Sequence, residues 1–227
     1  GWRKLILANY EIDPELLMPY LPDKTELDTW NGVHYVSLVG FMFVDVKVLG
    51  VPVPFYVNFE EVNLRFYVKD KHGEKGVVFI KEIVPKRMIK LIANSIYKEH
   101  YSVAKMSSEI TENSSSMKVK YNWINSKESQ FVQVETELEE LELEARSKAE
   151  FIAEHYLGFT KIDSYKTSSY RVDHEKWKQL KVKSSEFKID FDSNYGSQFS
   201  FLNHQEVDSV FFLKGSPISV SKKTKTN

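Results

Sequence analysis

Residues 59–69, FEEVNLRFYVK, alternate with a period of two. Phe59, Glu61, Asn63, Arg65 and Tyr67 fall on one face, and Glu60, Val62, Leu64, Phe66 and Val68 on the other. Side chains of a strand point alternately to opposite faces, so the second face is expected to pack on a core. A turn over 70–74 leads into 76–84, GVVFIKEIV, as the returning strand of a hairpin. Residues 33–49 read as a long or bent strand with Gly40 as a bulge or close-approach point. Residues 104–111, 117–124 and 129–136 read as further strands, as do 166–173, 179–191, 208–213 and 217–221.

Helical signals are fewer. Asp13 is a good N-cap and Pro14 suits the first helical position, while Pro19 and Pro22 stop the turn quickly. Pro85 opens a pattern over 85–100 in which Met88, Leu91, Ile92, Ile96 and Tyr97 recur at helical spacing. Residues 146–155 predict another helix, with Ala149, Phe151, Ile152 and His155 facing inward and Gly158 as its stop. Residues 135–150 hold seven acids against two bases, and periodicity leaves helix and strand open there. The expectation is one α+β domain over 1–221, built on antiparallel strands, with a flexible tail over 222–227.

Composition narrows the classes. The chain has 227 residues, a formal net charge of −1 and no cysteine. Disulfides, thiolate metal sites and a cysteine nucleophile are excluded, and near-neutral charge offers no field for nucleic acid or an anionic membrane. No apolar run approaches the ~20 residues that span a bilayer, and Gly1-Trp2-Arg3-Lys4 does not open like a secretory signal, so a cytoplasmic location is expected. The chain carries 15 Phe, 12 Tyr and 4 Trp, enough either to fill a β-rich core or to line a cavity within one. The six histidines include no pair at three- or four-residue spacing, and no phosphate loop, dinucleotide fingerprint, nucleophile elbow or His-Glu-x-x-His motif is present. No metal or cofactor is expected.

Three constellations could carry chemistry. Lys86 and Arg87 stand side by side where a strand hands over to a helix, the wrong sign for a helix N-terminus. A neighbouring cation and the dipole both disfavour an ammonium, and a neutral lysine amine can attack a carbonyl. Glu61, Asn63 and Arg65 place a carboxylate, an amide and a guanidinium in a row, a set that suits a bound carboxylate if the face is enclosed and a solvated surface if it is not. Glu154-His155-Tyr156 sets a histidine at an otherwise apolar position, as a core residue or as a ligand contact.

Several blocks carry a resemblance. Asn58 to Val68, Gly76 to Ile80 and Glu82-Ile83-Val84-Pro85-Lys86 resemble the YqjF-like bacterial proteins, as do Tyr10 to Pro14, Glu154 to Phe159, Tyr170 to His174 and Gly215-Ser216-Pro217. That family is grouped with the acetoacetate decarboxylase-like fold. The resemblance implies a curved, mainly antiparallel β-sheet closing into a cone or barrel with peripheral helices. It also implies catalytic roles for Lys86 as an imine-forming nucleophile, Arg87 as its electrostatic neighbour and Glu61 as a pocket carboxylate. Arg65, Asn63, His155 and Tyr156 would then contact the ligand. The decarboxylases carry a glutamate six residues before the lysine and a glycine in that context; here Glu82 stands four residues before Lys86 and the glycine is missing. Three readings follow: a small-molecule-binding protein for a carboxylate or carbonyl compound, a lysine-imine decarboxylase, and an interaction protein without such a site. Self-association is compatible with all three.

Overall fold

The structure, a computed structural model, describes residues 1–48, 51–52, 57–85, 101–125, 128–221 and 224–226. In chain order its strands are β1 (Trp2–Glu11), β2 (Thr25–Leu27), β3 (Tyr35–Phe43), β4 (Lys47–Val48), β5 (Val51–Pro52), β6 (Phe59–Asp70), β7 (Lys75–Pro85) and β8 (Tyr101–Glu112). They continue as β9 (Met117–Asn125), β10 (Glu128–Leu141), β11 (Leu157–Asp163), β12 (Lys166–His174), β13 (Gln179–Lys188), β14 (Ser209–Leu213), β15 (Ile218–Val220) and β16 (Thr224–Thr226). All except the β4–β5 pair belong to one mixed sheet.

The class is mostly β rather than α+β. Among the described residues the α-helices are short, Lys148–Ala153 and Phe191–Tyr195. The helix expected over 85–100 lies outside the described residues beyond Pro85, which ends β7. The Asp13 turn is present as two 3-10 turns, Pro14–Leu16 and Met18–Tyr20, with the Asp13 carboxylate accepting from the Glu15 amide at 2.9 Å. The helix expected over 146–155 is shorter at both ends. Arg146 has a left-handed φ of 62°, and Ser147 caps the helix by accepting from the Glu150 amide at 3.1 Å. Gly158 does not stop it; it lies within β11, opposite Tyr170, where an added Cβ would fall 2.3 Å from the tyrosine ring.

The pairings of the sheet form a ring. They run β6–β7–β8–β9–β10–β13–β14–β1–β3 and return to β6. The ring is antiparallel except at β7–β8, and it is narrowest at β13–β14, where Gln179↔Leu213 and Leu180↔Phe212 make the contact. One large apolar cluster takes side chains from every strand of this ring, including Ile6, Leu38, Leu64, Ile80, Val119, Val134, Leu180 and Phe212. Trp123, Tyr121, Phe66, Phe191 and Phe199 are among its fully buried members, so these aromatic residues fill the core. Gly40 is the close-approach point anticipated. A Cβ there would sit 2.9 Å from a Val132 methyl and 3.0 Å from the Tyr121 ring, and the β3–β6 register passes Gly40 without a bulge.

β1 was not among the elements the sequence pattern predicted. Leu5 to Tyr10 is buried on both faces, so the run has no alternation to betray it. The acidic stretch resolves into strand up to Leu141. Its carboxylates meet lysines of β13 and its neighbours: Lys183 with Glu135, Lys181 with Glu137, and Lys178 and Lys214 with Glu140. No helix among the described residues is long and apolar enough to cross a membrane.

Candidate functional site

The hairpin of β6 and β7 positions the site. Its apolar face is the one expected: Val62, Leu64, Phe66 and Val68 enter the large cluster. The opposite face is buried as well. Glu61 is 4% exposed, Asn63 2% and Arg65 6%, so it is no solvated surface. A second layer covers its Arg65–Tyr67 end. Phe151, Ile152 and Ala153 of the Lys148–Ala153 helix pack with Leu5, Leu7, Val39, Phe41, Tyr67 and Trp177 in a separate apolar cluster.

A bulge in β7 brings one more carboxylate to this face. Phe79 pairs with Arg65 and Lys81 with Leu64, leaving Ile80 as the extra residue. Glu82 therefore pairs with Asn63 and shares its face, 4% exposed. Lys81 turns to the other side, where its ammonium donates to the Asn194 carbonyl and burial lowers its pKa.

Within the buried face, the Asn63 amide nitrogen donates to Glu61 Oε1 at 3.0 Å. A carboxylate can only accept, so this contact fixes the amide and leaves Asn63 Oδ1 pointing elsewhere, with no hydrogen-bond partner among the described residues. Arg65 donates from one terminal nitrogen to the Ile152 carbonyl at 3.0 Å, and its Nε is likewise unengaged. The guanidinium lies 5.8 Å from the centre of the Tyr67 ring. On that ring His155 packs at 4.8 Å and Phe151 at 5.1 Å. The Tyr67 hydroxyl meets Ser37, which donates to Asn9 Oδ1 at 2.5 Å, and Asn9 in turn donates to the Ser209 carbonyl at 3.1 Å. Strands β1, β3, β6 and β14 thus fix the platform beneath Arg65 and His155.

His155 is 7% exposed and neither ring nitrogen has a hydrogen-bond partner among the described residues. Burial holds its pKa well below the usual histidine value, and the charges of Arg65 and Lys75 add to that. It is a neutral imidazole beside a guanidinium. Burial also pushes the Tyr195 hydroxyl well above its ordinary value, with Glu61 contributing.

The predicted residues are therefore only partly assembled. Glu61, Asn63 and Arg65 share one buried face, and His155 joins Arg65 across Tyr67. Tyr156 goes another way: its hydroxyl donates to Glu154 and its ring stacks on His174 at 4.5 Å. Lys86 and Arg87 lie outside the described residues; the strand preceding them ends at the buried Pro85. Sequence reasoning noted Glu82 for its spacing from Lys86 but gave it no site role, although a carboxylate inside the apolar run GVVFIKEIV was the available signal. Two concavities, of about 340 Å³ beside Phe159 and Lys161 and about 390 Å³ beside Asp13 and His34, contain none of the predicted site residues.

The model of the DUF2071 family of uncharacterised conserved proteins matches residues 1–217. The chain belongs to that family. This DUF2071 protein is 33% identical over 109 residues to the uncharacterised protein YqjF of Bacillus subtilis (strain 168), an alignment over 48% of the chain that spans just 45% of YqjF's own length. Its fold is similar to acetoacetate decarboxylase of Legionella pneumophila, with a TM-score of 0.64, 13% identity, and coverage of 99% of this chain and 85% of that one. It is also similar to an acetoacetate decarboxylase-like enzyme of Sphingomonas wittichii RW1, with a TM-score of 0.67, 11% identity, and coverage of 100% and 91%. A third solved structure, the enduracididine biosynthesis enzyme MppR complexed with pyruvate, aligns at a TM-score of 0.58 and 9% identity over 97% of this chain and 89% of that one. At such identities the likeness establishes an acetoacetate decarboxylase-like fold for the DUF2071 protein, and the chemistry must be argued from its own residues.

Proposed function

We propose that the protein binds a small carboxylate or carbonyl compound against the polar face of β6 and β7. The observation that carries the reading is Arg65, a guanidinium 94% removed from solvent whose hydrogen bond goes to a neutral carbonyl and whose Nε is unengaged. A buried charge with unused donors is costly unless something meets it. A carboxylate would engage the free edge of the guanidinium. Asn63 Oδ1, one strand step away, would take a hydroxyl or N–H from the same ligand. Neutral His155 keeps a second positive charge out of the site. In this reading the nine strands paired in a ring make the cone or barrel wall of a decarboxylase-like protein.

Titration calorimetry with pyruvate and acetoacetate tests this. Binding by the parent protein and none by Arg65→Met, with unchanged circular dichroism, is the expected result. Equal binding by both proteins removes Arg65 from the site.

A second reading is an enzyme that forms an imine through Lys86. It is supported by the strand that presents Glu82 to this face, since that strand ends at Pro85, immediately before Lys86. Borohydride added with acetoacetate should then leave a mass increment on Lys86, and equal labelling of Lys86→Ala would exclude that lysine.

A further inference from the structure

We propose that Asn31 is a site of spontaneous covalent modification, at which the chain converts its own asparagine to aspartate and isoaspartate. Asn31-Gly32 is the only Asn-Gly pair in the sequence. Attack by a backbone nitrogen on the preceding carboxamide is least hindered when the attacking residue is glycine, which has no Cβ. The local structure leaves both partners accessible. Asn31 and Gly32 are exposed, and a Cβ built on Gly32 would meet nothing within 4 Å. Asparagines followed by serine are the next candidates, and among the described residues their carboxamides are held. Asn113 Oδ1 accepts from the Ser115 and Ser116 amides at 2.8 and 2.9 Å. The Asn125 side chain donates to the Ser193 carbonyl at 3.1 Å and to Asn194 Oδ1 at 2.9 Å. The Asn31 carboxamide makes no hydrogen bond among the described residues.

The turn opens at small cost. Trp30 and Val33 exchange two backbone hydrogen bonds, both 3.1 Å, as a bridge outside any strand. Asn31 and Gly32 between them have φ of 53° and 81°, the left-handed pair that such a two-residue hairpin requires. The chain is fastened on either side, where the Asp28 amide donates to the Tyr67 carbonyl and the Ile12 amide to the His34 carbonyl. Rotation about the Asn31 Cα–C bond breaks the two bridge bonds and swings the Gly32 nitrogen toward Asn31 Cγ. Hydroxide takes the Gly32 amide proton, the nitrogen bonds to Cγ, and Nδ2 leaves as ammonia, closing a cyclic imide. Water then opens the ring. Cleavage of the new Cγ–N bond gives aspartate. Cleavage of the original bond between the Asn31 carbonyl carbon and the Gly32 nitrogen gives isoaspartate, with the main chain rerouted through the side-chain carbon. That lengthens the backbone of a two-residue loop, and the Trp30–Val33 bridge cannot close around it. Trp30 then loses its fixed place under the Lys148 ammonium, which lies 4.8 Å from the Trp30 ring, at the start of the helix whose Ile152 carbonyl holds Arg65.

Incubation of the full chain in mildly alkaline buffer, followed by peptide mapping with mass spectrometry, tests this. A one-dalton gain should appear at Asn31 before any appears at Asn113 or Asn125. Part of the product should accept a methyl group from S-adenosylmethionine in the presence of a protein-isoaspartate methyltransferase. Asn31→Gly keeps a sequence that the turn accepts and should lose that methyl acceptance entirely. In the isoaspartyl protein, separated by ion exchange, the Val33 amide should lose its protection from hydrogen exchange. An Asn31 that remains intact when a peptide of residues 28–34 has been fully converted overturns the inference. So does deamidation that begins at Asn113 or Asn125, or methyl acceptance that persists in Asn31→Gly. A Val33 amide equally protected in both forms refutes the opened turn.

Discussion

The two faces of β6 use the same backbone for opposite ends. Leu64 and Phe66 are fully buried among apolar side chains from all round the ring. Arg65, between them, is nearly as buried but faces Asn63, Glu61 and His155. Burial of the first kind lowers the free energy of the fold, at ~25 cal/mol per Å² of apolar surface. Burial of the second kind costs free energy unless each group is met. One strand thus supports the fold with Val62, Leu64, Phe66 and Val68 and holds unused polar capacity at Asn63 Oδ1 and Arg65 Nε.

Adjacent substitutions put this contrast to the hardest trial. Leu64→Ala should destabilise the protein by about 2–5 kcal/mol, through lost transfer energy and the cavity left behind. Arg65→Met keeps the length of the side chain and removes a buried charge, so it should stay within about 1.5 kcal/mol of the parent. Urea midpoints decide the matter: equal losses would make the polar face structural, and the contrast would fail.

A smaller effect should appear in acid. His155 is held neutral in the folded state, while in the unfolded chain it takes up a proton near pH 6.5. Below that pH the unfolded state binds the extra proton, so stability falls as pH falls, by at most about 1.4 kcal/mol per pH unit from this residue. His155→Gln should flatten the difference between unfolding curves at pH 7.5 and pH 5; an unchanged acid loss would assign it to other groups. The smallest effect belongs to the outer surface. Glu140 of β10 lies between Lys178 and Lys214 at the surface, and exposed pairs contribute little. Lys214→Ala should leave the urea midpoint within experimental error, and a clear drop would show that this ion pair stabilises the fold.

The sequence made the β6–β7 hairpin and the apolar face of β6 legible, because period-two alternation reports directly on side-chain direction. It did not reveal that the polar face is buried too. Alternation distinguishes two faces but says nothing of what covers them, and the cover over Arg65 and Tyr67 comes from Phe151 and Ile152, some 85 residues later in the chain. The role of Glu82 depended on a one-residue bulge at Ile80, which no local pattern announces. Tyr156 and His155 are neighbours in sequence that part in space, since the chain beyond the Lys148–Ala153 helix sends one ring onto Tyr67 and the other onto His174.

The pairing of β1 with β14 has a consequence in time. Asn9 and Ser209, which bond across it, are 200 residues apart in the chain. At ~5–20 residues per second, a ribosome that has released β1 needs roughly 10–40 s to deliver its neighbour. Throughout that interval β1 has an open flank, and once β13 has been made the β13 end of the sheet has one too. The step that completes the ring is therefore among the last, and a nascent chain halted before Ser209 would expose two sticky edges to whatever chaperone or stray strand reached them first.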